Sequence, residues 1–212
     1  MLMSRFPAAI SATKKSCVET KGTYPLTISV LNDAYLAESA AYKNYVCCSQ
    51  KAVAEGYPNI AYLFISFSNS EKIHADNYNR LLKKLCSETR EPENGIVTLD
   101  TKSNLRNASK NELLKINRTY PEFLAKLENE SYHEAVINCM YSWKSHQQHE
   151  KKISEIRRYS GIFFNSLAER IEAMKLDFHI CNICGSTIDE PPDAPCEICH
   201  YPFYHYTRVI RP

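Results

Sequence analysis

The chain is predicted to be mainly α, a four-helix bundle followed by a small C-terminal module in which four cysteines hold a metal. Three observations predict this. Between about residues 26 and 159, apolar and small side chains recur at three- and four-residue steps. Only five glycines occur in 212 residues, which disfavours a turn-rich β architecture or a phosphate-cradling loop. Near the C-terminus, Cys181-Asn-Ile-Cys184-Gly and Cys196-Glu-Ile-Cys199-His form two Cys-x-x-Cys knuckles separated by eleven residues.

The pattern divides the chain into an N-terminal extension over 1–20, the bundle over 21–160, a linker over 161–177 and the cysteine module over 178–212. The first helix is expected from about Leu26 to Val53, with Val30, Ala34, Ala37, Ala41 and Tyr45 on one face. Gly56 stops it, and Pro58 suits the opening turn of a second helix that reaches about Leu85. Pro92 and Asn94-Gly95 make Ser87 to Ser103 a loop or crossing connection. A third helix is expected from Asn104 to Glu130, bent or broken by Pro121. The fourth runs from Tyr132 to Tyr159, before Gly161. Asn165 to Lys175 suits a short linker helix, and Phe178 leads into a short strand.

An internal echo supports the bundle. Fourteen residues after the tyrosine of Glu55-Gly56-Tyr57 comes Glu71-Lys-Ile-His74; fourteen after that of Glu130-Ser131-Tyr132 comes His146-Gln-Gln-His149. One helix pair is thus read twice, joined by a long middle connection.

Composition narrows the function. At 44% hydrophobic and 24% charged, the chain is an ordinary globular one, and a net charge of +2 without a basic stripe argues against nucleic acid as a partner. No stretch approaches the roughly 20 apolar residues that span a bilayer, so no membrane partner is expected. Residues 1–20 are basic, rich in Ser and Ala, and free of acids before Glu19. They suit a disordered extension, with an organellar transit peptide as the alternative; Pro7 and Lys14-Lys15 leave too short an apolar run for a secretory signal. A cytoplasmic protein is expected.

Two knuckles build a tetrahedral four-thiolate cage, because each folds back to aim both sulfurs at one ion. The alternative for Cys181, Cys184, Cys196 and Cys199 is two disulfides in a secreted mini-domain. The other five cysteines (Cys17, Cys47, Cys48, Cys86 and Cys139) are scattered, and the total of nine is odd. That usage points to a reducing compartment and a metal, iron or zinc.

Glu71 and His74 share one helix face, the way bundles recruit a helix to a carboxylate-bridged metal site. A solvated face is the alternative for this pair alone, but His146 and His149 repeat the spacing at the equivalent place. Glu38 lies among Ala34, Ala37 and Ala41, where a lone carboxylate is costly to bury without a partner. Glu112, taken singly, reads as surface charge.

With these residues in place, the chain resembles the rubrerythrin family from about Lys21 to Val209. The matching features are Ala37-Glu38-Ser39 with Tyr45 seven residues on, Glu71-x-x-His74, Asn104-Leu105 with Glu112 and Tyr120-Pro121-Glu122-Phe123, and the cysteine tail with Asp189-Glu190-Pro191-Pro192 between its knuckles. The resemblance implies a ferritin-like four-helix bundle with a rubredoxin-like C-terminal domain. It implies two carboxylate-bridged non-haem irons in the bundle that reduce hydrogen peroxide to water, and one thiolate-bound iron that passes them electrons. It implies Glu38, Glu71, His74, Glu112 and His149 as ligands, with Tyr45 and Tyr120 as hydrogen-bonding tyrosines that orient carboxylates; packing is the alternative role for both. A homodimer is implied, the tail approaching the partner subunit's bundle, as is an electron-donating reductase or rubredoxin.

Two positions depart from the family pattern. Lys115 and His146 stand where it has glutamates, and the second of these bridges the metals. One expectation is therefore a single Fe(II), Mn(II) or Zn(II) held by Glu71, Glu112, His146 and His149, with Lys115 paired to Glu38 and His74 nearby. A dinuclear site with altered ligands and a bundle without metal are the alternatives. Function follows the same division: a peroxide-reducing enzyme, a redox relay with a degenerate bundle site, or a zinc-ribbon-like tail on a scaffold. Tyr201, Phe203, Tyr204 and Tyr206 are expected to fill the small module's core or pack against the cage and bundle, while His200 and His205 are read as structural.

Overall fold

Proline pre-sets the helical φ and lacks an N–H that the first turn of a helix leaves unused. Pro25 and Pro58 accordingly open α1 (Pro25–Ala54) and α2 (Pro58–Lys84). The structure, a computed structural model, describes residues 23–90, 95, 98–158 and 164–212. The expected extension over 1–20, the part of the middle loop that carries Pro92 and Asn94, and Tyr159 to Gly161 lie outside the described residues. The other elements are α3 (Thr101–Leu114), a π-helical turn (Lys115–Thr119), α4 (Tyr120–Leu127), α5 (His133–Arg158) and α6 (Phe164–Ala173). Three short strands close the chain, β1 (His179–Cys181), β2 (Thr187–Ile188) and β3 (Tyr206–Arg208).

The expected third helix is corrected at its start and interrupted, as expected, near Pro121. It starts at Thr101, where the Asp100 side chain accepts from the Ser103 N–H. The local break comes where Pro121 was expected to force one, because Pro121 has no N–H for the carbonyl four residues back and its ring crowds that turn. The strain is absorbed as a wide π turn just upstream, and Trp143 Nε1 donates to the Ile116 carbonyl within it at 2.9 Å.

The echo seen in the sequence has a reciprocal structural role. Glu55, past the end of α1, accepts from the Thr101 N–H at 2.8 Å and so caps α3. Glu130, past the end of α4, accepts from the Leu26 and Thr27 N–H groups at 2.9 and 2.8 Å and caps α1. Each glutamate places a negative charge on another helix's positive end and ties the half-bundles together. The following residues turn the chain at positive φ, +81° for Gly56 and +52° for Ser131.

Two apolar layers sandwich a polar one. Val30, Leu31, Tyr78, Leu81, Leu82, Tyr120, Phe123 and Leu127 pack at one end of the bundle. Tyr45, Ile60, Leu63, Phe64, Phe67 and Leu105 pack at the other, and that layer continues into Ile171, Phe178, Ile180 and Val209 of the tail. Glu38, Glu71, His74, Glu112, His146 and His149 lie between, all at most 1% exposed.

The sheet is antiparallel in the order β2-β1-β3, with His179 opposite both Ile188 and Arg208. Tyr206 packs against the cysteines with Ile183 and Ile198. Tyr201, Phe203 and Tyr204 do not: they are 46, 50 and 70% exposed, which corrects the expectation that all four rings fill the module or its bundle contact. Sulfurs and isoleucines already occupy so small an interior. Cys48 and Cys139 are buried thiols, whereas Cys86 is disulfide-bonded, so the scattered cysteines do not speak uniformly for a reducing compartment. Among the described residues no helix is long and apolar enough to cross a membrane.

Candidate metal centre

Four helices aim polar groups at the middle layer: α1 brings Glu38, α2 Glu71 and His74, α3 Glu112, and α5 His146 and His149, with Lys115 entering from the first residue of the π turn. Buried ions are tolerable only when paired. Lys115 Nζ donates to Glu38 at 2.7 Å and to Glu71 at 3.3 Å. His146 Nδ1 donates to Glu112 at 2.8 Å and its Nε2 to Glu38 at 3.2 Å. Donating from both nitrogens makes that ring an imidazolium.

Protonation follows from these contacts. Burial would raise the Glu38 carboxyl, but the Lys115 ammonium and then His146 outweigh it and hold it well below the usual carboxylate range. Burial likewise opposes ionisation of Glu112, and His146 overrides it. Burial, then the Glu38 charge, pushes Glu71 well above the usual range, which favours its neutral acid form. Burial would lower His146, as would Lys115, yet the three glutamates raise it to about 10. Burial keeps His74 and His149 neutral. Two carboxylates thus face two cations, and the metal-free layer is electrically balanced.

The tautomers can be read from the partners. His74 Nε2 lies 3.1 Å from the Cys184 carbonyl, which only accepts, so Nε2 carries the proton and Nδ1 accepts from protonated Glu71 at 2.9 Å. His149 Nε2 donates to Thr187 Oγ1 at 3.3 Å, and the hydroxyl passes its own hydrogen to the Gly185 carbonyl. That leaves the His149 Nδ1 lone pair facing inward, buried and without a hydrogen-bond partner. It points between Glu71 and Glu112, whose oxygens are both 3.8 Å away, too far for a hydrogen bond. Phe67 stacks on the imidazole with centroids 4.3 Å apart and fixes its tilt. A lone pair aimed into a gap between carboxylates suits a divalent cation.

The tyrosines named from the sequence cross over. Tyr45 of α1 donates to Glu112 at 2.7 Å, and Tyr120 of α4 donates to Glu38 at 2.6 Å. Tyr45 follows Glu38 by seven residues, but Tyr120 follows Glu112 by eight. The extra residue is the one the π turn absorbs, and it returns Tyr120 to the inner face. Burial raises both phenols well above their ordinary range, so both stay protonated donors.

In the tail, Cys181 and Cys199 sulfurs are 3.7 Å apart and Cys184 and Cys196 sulfurs 3.5 Å. A disulfide would place them about 2.05 Å apart, whereas a tetrahedron with bonds of about 2.3 Å spaces sulfurs at about 3.8 Å. All four meet as one buried cluster, so the donor set fits a thiolate-bound ion. Matching turns build it: the Gly185 N–H donates to the Cys181 carbonyl at 2.9 Å, and the His200 N–H to the Cys196 carbonyl at 2.8 Å. Both residues have positive φ, but only the first must be glycine, because a Cβ on Gly185 would sit 2.4 Å from His74 Nε2.

Within the chain, the tail docks on its own bundle. Ser70 and Ser145 both donate to the Gly185 carbonyl, at 2.7 and 3.0 Å, and Asn77 donates to Ile183 at 2.9 Å. The sequence reading missed both serines. The signal was present, since each immediately precedes a ligand motif, Ser70-Glu71 and Ser145-His146. On the other side a cleft of about 590 Å³ lies between α1 and α3, lined by Ala37, Ala41, Asn104, Asn107 and Asn111 and reaching Tyr45 and Lys115.

Comparison with known proteins bears on this arrangement. The rubrerythrin family model matches residues 29–156. Rubrerythrin-1 of Clostridium acetobutylicum is 30% identical over 189 residues, covering 86% of this chain and 92% of the relative. Nigerythrin of Nitratidesulfovibrio vulgaris is 26% identical over 210 residues, covering 94 and 95%. The solved structure of fully reduced, all-ferrous nigerythrin superposes with a TM-score of 0.74 at 22% identity, over 99% of this chain and all of that one, a likeness of fold. A ferritin-like bundle carrying a four-cysteine module against its polar layer, matched by the family model over most of the bundle, makes this chain a member of the rubrerythrin family.

Proposed function

We propose that the chain is a non-haem iron oxidoreductase that reduces hydrogen peroxide, drawing electrons through an iron held by Cys181, Cys184, Cys196 and Cys199. The observation that carries this reading is the direct link between the modules, in which Cys184 accepts from His74 and His74 accepts from Glu71. Reducing peroxide to two waters consumes two electrons and two protons. Iron at the two sites, when bound, supplies the electron transfer.

The chain's own groups do the rest. Three alanine positions, 37, 40 and 41, and the asparagine ladder give a small polar molecule a route to Lys115, which is 12% exposed at the base of the cleft. Lys115 Nζ and His146 hold protons beside it. Tyr45 and Tyr120 fix Glu112 and Glu38 against rotation. The apolar layers above and below exclude bulk water and keep charge interactions strong.

Anaerobically reduced protein mixed with stoichiometric peroxide in a stopped-flow instrument tests the reading. The red oxidised iron–thiolate colour should return faster than with an equal amount of dioxygen. A cage that reoxidises no faster with peroxide removes the enzyme assignment. A redox relay without turnover is the second reading, favoured by Lys115 and His146 standing in the polar layer. The proposal carries with it a homodimer, a reductase or rubredoxin as electron donor, and a cytoplasmic setting; sedimentation of the intact protein tests the first.

A further inference from the structure

We infer that the bundle binds one divalent cation per chain, between Glu71, Glu112, His146 and His149, and that Lys115 takes the place of a second. The inference rests on the metal-binding part of the proposed function and not on peroxide turnover.

The polar layer contains two clusters of potential ligands, and they differ in what is already engaged. One comprises Glu38, Glu71, His74 and His146, the other Glu71, Glu112, His146 and His149. In the first, every inward atom is committed. Glu38 Oε1 accepts from Tyr120 and His146, and Glu38 Oε2 accepts from Lys115. His74 spends Nδ1 on Glu71 and Nε2 on Cys184. The Lys115 ammonium lies between the two carboxylates that would have to hold the ion, so cation and ammonium would compete for the same oxygens. A dinuclear centre does not fit these residues.

The second cluster differs at one atom, and in it His146 Nδ1 would give up the proton it shares with Glu112 to take the ion. The His149 Nδ1 lone pair has no partner. His146 Nδ1 is 3.6 Å from Glu71 Oε1 and 2.8 Å from Glu112 Oε2, and His149 Nδ1 is 3.8 Å from each. A tetrahedral ion bonded at about 2.1 Å to N and O spaces its ligands at about 3.4 Å, close to this set. Two imidazoles and two carboxylates accept Fe(II), Mn(II), Co(II) or Zn(II). The second shell is also built. Tyr45 orients Glu112, and Thr187 fixes the His149 tautomer. Lys115 supplies the positive charge that a second ion would have brought, so Glu38 remains balanced with one metal bound.

Cobalt(II) is the probe, because its thiolate charge-transfer bands report the cysteine cage separately from the bundle. Full-length protein saturated with cobalt and freed of excess should hold about two ions per chain, one in each module. His149→Ala should lose the bundle ion, at least a tenfold drop in its occupancy, while the thiolate bands stay unchanged. Lys115→Glu combined with His146→Glu should raise the total to about three and give a magnetically coupled pair. Three ions per wild-type chain, one ion in the cage alone, or a His149→Ala protein that keeps its bundle ion would each overturn the inference. A chain that binds two ions and ignores peroxide discards the enzyme reading and keeps this one.

Discussion

The hairpin of α1 and α2 and the half built from α3 to α5 face the same centre from equivalent positions. The first presents Glu38, then Glu71 and His74 three residues apart; the second presents Glu112, then His146 and His149 at the same spacing. Capping is reciprocal through Glu55 and Glu130, and so are the tyrosine bonds. Charge is not. The first half has one carboxylate, Glu38, beside the neutral acid of Glu71 and no cation in the layer, while the second has one carboxylate with Lys115 and His146. One scaffold has thus been given opposite electrostatics, and the second half serves as counter-ion to the first. The only orphaned lone pair in the layer, on His149, lies where the two halves' carboxylates meet.

The largest expected effect comes from removing the counter-ion. Lys115→Met removes the nearest cation from Glu38 and should destabilise the metal-free protein by about 3–5 kcal/mol, the cost typical of breaking a buried pair. Urea unfolding in chelator measures it, and a loss below about 1 kcal/mol would mean the halves do not neutralise each other.

Next in size is a difference between two histidines on one helix. His146 is raised to about 10, so its contribution to the metal-free protein is complete below the unfolded value of about 6.5 and fades as pH climbs toward 10. His149 is lowered, so it costs stability as pH falls below about 6.5, where the unfolded ring takes up a proton. Imidazole NMR shifts of chelated protein should show His146 charged at pH 8 and His149 taking up its proton only below the pH at which a free imidazole does. Two rings that titrate together would erase the asymmetry.

The tyrosines probe the symmetry that remains. Tyr45→Phe and Tyr120→Phe each delete one hydrogen bond to a carboxylate and should each cost about 1.5–3 kcal/mol. Costs that differ more than twofold would show that the π turn has not restored equivalence. The smallest effects belong to the serines beneath the tail. Ser70→Ala and Ser145→Ala should each lose about 0.5–1.5 kcal/mol, with the double variant releasing the cysteine module to faster amide exchange at Gly185. Unchanged exchange in the double variant would show that the paired hydroxyls do not hold the tail.

Much of this was legible in one dimension. The bundle was readable because 3.6-residue periodicity and proline–glycine punctuation are local signals, and helix ends fell within a few residues where such punctuation existed, as at Pro58. The knuckles were readable because their geometry depends on spacing alone. The third helix was harder. Pro121 announces a disturbance, but its resolution as a π turn depends on neighbouring packing and on Trp143, 22 residues further on, reaching back to Ile116. The tail rings were misjudged because aromaticity does not say which side of a three-stranded sheet is already full. Ser70 and Ser145 went unnoticed because a buried hydroxyl has meaning only beside its acceptor.

Sequence by itself determined which side chains share a helix face and which cysteines can enclose an ion, since both follow from the fixed rise of a helix and the fixed reach of a short turn. Only the tertiary structure decided which of those groups are spent on one another. Lys115 closing one cluster, Thr187 fixing the tautomer that frees His149, and Gly185 admitting the cage to within hydrogen-bond reach of His74 all join residues far apart in the chain. Their outcome depends on ångström distances inside a low-dielectric layer, where one hydrogen bond or one charge determines the state of every neighbour.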